Sequence, residues 1–477
     1  MTTIDYPVHR LNTSIVFLTA LVLALMSWLG TTQIGLSGPL SLVLAVQIVL
    51  FFALFNRPVW AMASLMVGQF TASGYMFPLT PELEISIRFL WTILAVLLLV
   101  PILKNRVGIE LGNGARRILI PAIIFFVLAT IANAVNTDLT VTLKYSRQSV
   151  TALAILVLLP AVVENKRDMK LLSIVALVTC AISAAAAVMQ HYSYTGTPVI
   201  TLYDNNYSGA RTPGLSESAL HLAYYLPAIL MPMVSILFIK GVGSRTRILL
   251  AFLAIIMVAA LYFTFTRSGM YALIPGALIM IFLMQGKAKK EFLLVALILL
   301  GAFVYYSDVQ NNRYSQWFTD DSSAAARPVL WQAGVSIALD NPILGIGYYT
   351  FEETSLDYSS RINPVYLETQ GAGGILGETE PHNDFIRVWL SFGTLALLAY
   401  LWLFVSIFRN FFDSYRQSKD RFLKGLALGC IGALVTYIVN ACLHNVMDSV
   451  WILWILGGFS IAIVKLATIT KPNTVVR

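Results

Sequence analysis

The chain has 477 residues, of which 58% are hydrophobic and only 12% are charged. Soluble domains are about 45–50% apolar and about 25% charged, so this composition excludes a soluble globular enzyme. Apolar stretches of roughly 20 residues, the length that crosses a bilayer as a helix, recur from Ile15 to Leu466. The sequence therefore predicts an integral membrane protein with many spans.

Fourteen apolar segments are candidate transmembrane helices, and twelve remains possible because the early pairs are short. They cover residues 15–29, 40–55, 58–75, 87–103, 118–134, 149–163, 170–190, 219–239, 248–266, 268–284, 291–306, 384–408, 424–443 and 450–466. The first segment lacks a small-residue cleavage site, so we expect a membrane helix there rather than a signal peptide. The three cysteines lie within apolar stretches, which predicts neither a disulfide framework nor a metal cluster.

Lysine and arginine indicate the orientation of the helices, because basic residues are retained on the cytoplasmic side of a membrane. With the N-terminus inside, 23 of the 32 basic residues fall in inner segments and 17 of the 24 acidic residues fall in outer segments. This asymmetry predicts that both termini are cytoplasmic. The net charge of +8 is spread over short inner loops, where it meets anionic lipid, and does not indicate nucleic-acid binding.

The spans divide the chain into five parts. These are N-terminal transmembrane helices (1–190), a first outer loop (191–218), central transmembrane helices (219–306), a large outer loop (307–383), and C-terminal transmembrane helices with a cytoplasmic tail (384–477). In the large loop, apolar residues recur at helical spacing from Ala324 to Leu339, and Asn341-Pro342 ends the pattern. Gly345 and Gly347 are expected to form turns that permit close backbone approach. The expected fold is an all-α polytopic bundle of 12–14 transmembrane helices with a helical outer cap.

Four basic side chains stand out at the outer boundary, which is otherwise acidic. Arg211 lies in the first outer loop, Arg267 lies between two apolar segments, Arg327 begins the cap helix, and His382 closes the large loop. A charge held at bilayer depth costs ~2.5–3.5 kcal/mol, so Arg267 is expected to have an anionic partner. Each arginine could instead reach the lipid head groups, and the histidine could be an interfacial helix cap.

Further polar residues lie close to these in the sequence or at the same side of the membrane. Asn383 follows the histidine, and Arg387 is spaced to pair with Asp384 at i,i+3. His444 and Asp448 lie four residues apart at the outer end of a span, where they could orient one another or cap a loop. We therefore regard Asn383, Arg387, His444 and Asp448 as possible supporting residues.

The residue types at the outer boundary favour one kind of chemistry. No Gly-rich phosphate loop, Rossmann fingerprint, HExxH or GxSxG motif occurs in the sequence. Guanidinium groups bind phosphate through charge-assisted hydrogen bonds, and a histidine accepts a proton from a hydroxyl near neutral pH. Together they suit a lipid-linked diphosphate donor, which carries its own leaving group and needs no ATP.

Four segments resemble motifs of the O-antigen ligase and polymerase superfamily, in the family's order, over roughly residues 200–400. The segment 382–393, which begins His-Asn, resembles the His-Asn signature, and 341–351 resembles the Pro-Leu-Gly-x-Gly segment. Residues 266–269 (Thr-Arg-Ser-Gly) resemble the Ser-Arg motif at an outer helix end, and 211–214 resemble the arginine of the preceding periplasmic loop. The chain departs from the family at three points. Thr266 stands where the family motif has serine, and the segment 382–393 ends in Ser-Phe-Gly where the family frequently has Glu-x-Gly. Fourteen helices are predicted, where about twelve are usual in the family.

The resemblance implies a multi-helix, GT-C-like glycosyltransferase of the bacterial inner membrane, with a periplasmic active site and neither metal ion nor cofactor. Such an enzyme transfers a glycan from undecaprenyl diphosphate to a hydroxyl acceptor. By this resemblance His382 is the candidate base, Arg211 and Arg267 hold the diphosphate, and Arg327 is a secondary ligand.

Several functions remain compatible with these residues. A ligase would use lipid A–core oligosaccharide as acceptor in lipopolysaccharide biosynthesis, and we favour it over a polymerase, which would join one lipid-linked glycan to another. Ligation of a glycan to protein hydroxyls is a further alternative. An exporter of lipids or glycans is less favoured, because transporters generally carry ionisable residues near the membrane midplane and the helix centres here have almost none.

Overall fold

The computed structural model describes residues 57–71, 76–80, 83–86, 93–98, 112–193, 211–239, 242–297, 301, 322–362, 380–447 and 451–469, without positions 217, 285 and 295. In chain order its helices are α1 (Pro58–Thr71), α2 (Gly112–Asn136), α3 (Leu139–Val162), α4 (Lys166–Ser193), α5 (Ala219–Leu237), α6 (Ser244–Phe263), α7 (Arg267–Leu283), α8 (Ser322–Asp340), α9 (Phe351–Ile362), α10 (Asp384–Gln417), α11 (Arg421–Leu443) and α12 (Ile452–Ile469). Residues 93–98 and 287–294 are also helical. A short hairpin pairs β1 (Met76–Thr80) with β2 (Leu83–Ser86) in antiparallel register, and the sequence analysis did not predict it.

Seven helices of the described chain are long and apolar enough to cross a membrane, namely α2 to α6, α10 and α11. Helices α7 and α12 are apolar but shorter. The all-α, polytopic fold is thereby confirmed. The predicted segments 15–29 and 40–55 lie outside the described residues, and the total number of spans stays a prediction.

Two helices extend beyond their predicted ends. Helix α3 begins at Leu139, ten residues before the predicted start, because the Asp138 carboxylate caps it and accepts the Val141 N–H at 2.7 Å. Helix α10 continues to Gln417, nine residues beyond its predicted end. Hydropathy detects only the apolar part of a helix, so its polar end turns were missed. The predicted helix of the cap is confirmed as α8.

Helix α11 packs directly against both α5 and α7. A methyl group added to Gly429 would lie 2.3 Å from the Cα of Pro232 in α5, and one added to Gly432 would lie 2.6 Å from the Sδ of Met280 in α7. Small residues at such contacts let membrane helices approach closely and pack densely. The close packing holds the start of α5, the start of α7 and the end of α11 at the same end of the bundle.

Helix α10 is broken at Gly393, whose backbone angles (φ +83°, ψ 175°) are not helical. The break frees the carbonyls of Leu390 and Ser391 from their helical partners. Two backbone N–H groups of residues 342–347, which we call the clamp segment, donate to these carbonyls at 2.8 and 3.0 Å, and the Thr394 N–H donates to the segment's first carbonyl at 2.8 Å. The exposed backbone groups of the break are thus satisfied by another part of the chain.

Helix α2 holds the opposite side of the clamp segment. The Asn133 side chain accepts the Tyr348 N–H at 2.8 Å, and the Asn136 side chain donates to the Gly345 carbonyl at 3.3 Å. Gly345 has a φ of +63°, and a methyl group there would lie 2.3 Å from the Leu390 carbonyl oxygen. The close backbone approach expected from these glycines is therefore confirmed. The predicted span 384–408 is consequently two helices joined at a fixed angle.

Candidate active site

Residues 211–216 are docked onto the ends of α4 and α6. The Gln190 side-chain amide donates to the Gly214 carbonyl and accepts the Gly214 N–H, both at 2.9 Å. The Thr212 N–H donates to the Phe263 carbonyl at 3.2 Å. These three contacts fix the backbone of Thr212 and Gly214 within the Arg-Thr-Pro-Gly motif and thereby position Arg211.

Arg211 is held next to the residue that precedes Arg267. Its Nε donates to the Thr264 carbonyl at 3.0 Å and its Nη2 donates to the Thr266 hydroxyl at 3.1 Å. Arg267 then begins α7. The structure thus brings together two arginines that lie 56 positions apart in the sequence. Thr266 replaces the serine of the family motif, and its hydroxyl serves as the acceptor for Arg211.

His382 precedes the N-cap of α10. The Asn383 side chain accepts the N–H groups of Phe385 and Ile386 at 3.0 and 3.1 Å, and it donates to the Cys442 carbonyl at 3.0 Å. A single side chain therefore fixes the start of α10 against the end of α11. Asn383 thus positions the backbone next to His382, and its role in the chemistry of the site stays a prediction.

His444 lies beside His382. It ends α11, where its N–H donates to the Asn440 carbonyl at 2.8 Å. The ring centroids of the two histidines are 5.9 Å apart, and on its other side His444 lies 5.9 Å from the ring of Tyr224. The predicted partner of His444, Asp448, lies outside the described residues.

Arg387 is part of a buried ionic cluster. Its Nη2 donates to Asp384 at 2.8 Å and its Nη1 donates to Glu380 at 3.0 Å. Asp384 is fully buried, and its second oxygen accepts the N–H groups of Val446 and Met447 at 3.1 and 2.8 Å. The predicted i,i+3 pair is therefore confirmed, and the Arg387 charge is used within the protein. Asp384, which Arg387 pairs with, thereby also holds residues 446 and 447, which follow His444 in the chain.

Tyr224 of α5 connects the two halves of the site. Its phenol interacts electrostatically with Asp384, Arg327 and Arg211, and its ring contacts His444. The sequence does not single out this residue, because a tyrosine in an apolar helix resembles any core aromatic. The available signal was its position six residues after Ser218, the N-cap of α5, which places it one to two turns from the helix end.

Three non-glycine residues of the described chain have a positive φ: Phe265 (+49°), Tyr349 (+67°) and His382 (+52°). Phe265 lies in the turn before Arg267, Tyr349 follows the clamp segment, and His382 is the candidate base. A positive φ strains the backbone of a non-glycine residue, and such strain is concentrated at functional sites. All three positions adjoin segments that the sequence singled out.

The described residues contain no group of three or more His, Cys, Asp and Glu side chains that could hold a metal ion. The site contains the imidazole groups of two histidines, His382 and His444. Its guanidinium groups belong to three arginines, Arg211, Arg267 and Arg327. Guanidinium groups bind phosphate, and imidazole accepts a proton. The anionic partner expected for Arg267 stays a prediction.

The family comparison covers the centre of this arrangement. Residues 252–401 match the family model described as O-Antigen ligase. The matched segment runs from α6 into α10 and contains Arg267, Arg327, His382 and Asn383. Among curated proteins, no relative matches the chain. The match supports a ligase-type or polymerase-type enzyme that acts on lipid-linked glycans. Over residues 252–401, this multi-pass membrane protein is therefore similar to the O-antigen ligase family.

Proposed function

We propose that this protein is an O-antigen ligase, which transfers a glycan from undecaprenyl diphosphate to lipid A–core oligosaccharide in lipopolysaccharide biosynthesis. The observation that carries the proposal is the convergence of basic groups around Tyr224. His444 and then His382 lie on one side of it, while Arg211 and Arg327 act on it electrostatically. The distribution of lysine and arginine supports a periplasmic site in the inner membrane with both termini in the cytoplasm.

In this proposal the arginines bind the donor through its diphosphate. Arg211 and Arg267 are neighbours through Thr266, so two guanidinium groups can approach the same pair of phosphates, and Arg327 adds a third. Such groups are preorganised for the negative charge that develops on the leaving diphosphate. The proposed reaction uses no metal ion or cofactor, because the arginines neutralise this charge.

His382 is the proposed general base. It takes the proton from the acceptor hydroxyl as the oxygen attacks the anomeric carbon of the donor glycan. The bond between that carbon and the diphosphate oxygen breaks, and undecaprenyl diphosphate leaves with the electron pair. Asn383 and Asp384 anchor the backbone around the base, which holds the imidazole in place during the transfer.

Reconstitution of the purified protein in lipid, with an oligosaccharide linked to undecaprenyl diphosphate, tests this proposal. One sample contains lipid A–core and the other contains only lipid-linked repeats, and the products are separated on a gel. A product that requires lipid A–core supports a ligase. A ladder without it supports a polymerase, in which a second lipid-linked glycan is the acceptor. Movement of the donor across the bilayer without a covalent product would contradict an enzyme and support an exporter.

A further inference from the structure

Two adjacent tyrosines of α5 are both buried but differ in their hydrogen bonds. The hydroxyl of Tyr225 donates to the backbone carbonyl of Gln69 at 3.1 Å, and the Gln69 amide lies 3.4 Å from the same hydroxyl. Tyr224 is 5% exposed, yet within the described chain its hydroxyl makes no hydrogen bond to protein. The hydroxyl is not among the enclosed side-chain polar atoms of the described chain that lack a partner, so it reaches accessible space with its donor unused.

The surroundings of Tyr224 are those of the proposed phosphate site. A methyl group added to Gly269 would lie 2.9 Å from the carbonyl oxygen of Ala223, so the first turn of α7 packs on α5 immediately beside this tyrosine. That turn begins with Arg267. The charges of Arg327 and Arg211 also act on the phenol.

The ligand chemistry follows from this combination of charge and donor. Arg211 already uses its Nε and Nη2 within the protein, so a hydroxyl close to it would add a donor for a phosphate oxygen. A neutral hydroxyl among cationic groups can donate to a phosphate oxygen without adding further charge repulsion.

We propose that Tyr224 is a further ligand of the donor diphosphate, whose hydroxyl donates a hydrogen bond to a phosphate oxygen beside Arg211 and Arg267. This inference rests on the proposed function, because it assigns the same site a diphosphate. It makes Tyr224 a binding residue for the leaving group. The contact is expected to contribute to donor affinity and to the stabilisation of the departing undecaprenyl diphosphate.

Binding of undecaprenyl diphosphate without a glycan to the full-length protein in lipid nanodiscs tests the inference. Hydrogen bonds to charged groups support a loss of about 10-fold in affinity for Tyr224→Phe. The matched control is Tyr225→Phe, which removes a hydroxyl from the neighbouring buried tyrosine and is expected to change the Kd less than twofold. Equal affinities of the two variants would overturn the inference, as would wild-type protein that does not bind the lipid.

Thermal unfolding separates binding from folding. Since the Tyr224 hydroxyl has no bond within the described chain, Tyr224→Phe is expected to leave the Tm unchanged, whereas Tyr225→Phe loses its bond to Gln69 and lowers it. A large fall in Tm for Tyr224→Phe would overturn the inference, because the hydroxyl would then be holding the fold. The binding assay requires no turnover, so a wild-type protein that binds the lipid but transfers no glycan would contradict only the proposed function.

Discussion

Replacement of Asp384 by asparagine is expected to destabilise the protein strongly. The Arg387 side chain with which it pairs is only 4% exposed, and Asp384 itself is fully buried. Removal of one charge from a buried ion pair typically costs about 3–5 kcal/mol, because the other charge stays in a medium of low polarity. The expected cost lies towards the lower end of this range, because Arg387 keeps Glu380 as a partner at 3.0 Å. In the wild type the two carboxylate oxygens of Asp384 accept N–H groups from Arg387, Val446 and Met447. Asparagine has the same shape but only one acceptor oxygen.

The free-energy change can be converted to a shift in the unfolding temperature. At about 2.1 cal/mol/K of unfolding entropy per residue, 477 residues give about 1 kcal/mol/K. The expected fall in Tm is therefore about 3–5 °C, measured by thermal unfolding of the purified protein in detergent. Turnover should fall as well, since Asp384 fixes the backbone that follows His444.

The matched control is Asp413→Asn. Asp413 pairs with Arg117 at 2.6 Å, but these two side chains are 33% and 43% exposed. Exposed ion pairs contribute about 0–1 kcal/mol, so this variant should melt within about 1 °C of the wild type. Equal shifts in the two variants would refute the reasoning, because burial would then have no effect on the strength of the pair.

Three further outcomes are expected. His382→Ala should lower turnover about 10²–10⁴-fold with saturating donor, the usual effect of removing a general base, and unchanged turnover would contradict the assignment. Gly393→Ala should destabilise the protein, because its methyl group would lie 2.1 Å from a clamp-segment carbonyl oxygen, whereas Gly243→Ala meets nothing within 4 Å and should not change the Tm. Burial opposes ionisation of Asp420, but the hydrogen bond from Lys166 and backbone N–H groups lower its pKa below the usual value. The stability that this pair adds is therefore present above about pH 4 and lost on further acidification; Asp420→Asn should remove that part of the acid sensitivity of the Tm.

Properties that depend on nearby residues could be predicted from the sequence. Long apolar stretches gave most of the described helices, and helical spacing gave α8, because both patterns arise within one segment. The pairing of Arg387 with Asp384 was also predictable, since residues three apart share a helix face. Arg211 and Arg267 were identified by their charge in an acidic outer region, which is a property of residue type alone.

Properties that depend on distant residues could not be predicted. The break at Gly393 is stable only because the clamp segment, about 50 positions earlier in the chain, supplies its hydrogen bonds. Contact of Arg211 with Thr266 likewise requires the loop after α4 to dock on the end of α6. Tyr224 differs from Tyr225 only in its neighbours, so no local pattern could separate the two.

The clamp segment has a mechanical consequence for the candidate base. Its backbone is bonded to both sides of Gly393, and the first nine residues of α10, which follow His382, end at this joint. The contacts that cross the joint are main-chain hydrogen bonds, so substitutions disturb them mainly where a new side chain would clash with the backbone, as at Gly393. The short helical part of α10 before Gly393 is therefore tied to the clamp segment at its C-terminal end, while α10 also packs against α2 and α11. In the proposed function, the orientation of His382 towards its substrate is therefore set by the backbone of this part of the fold.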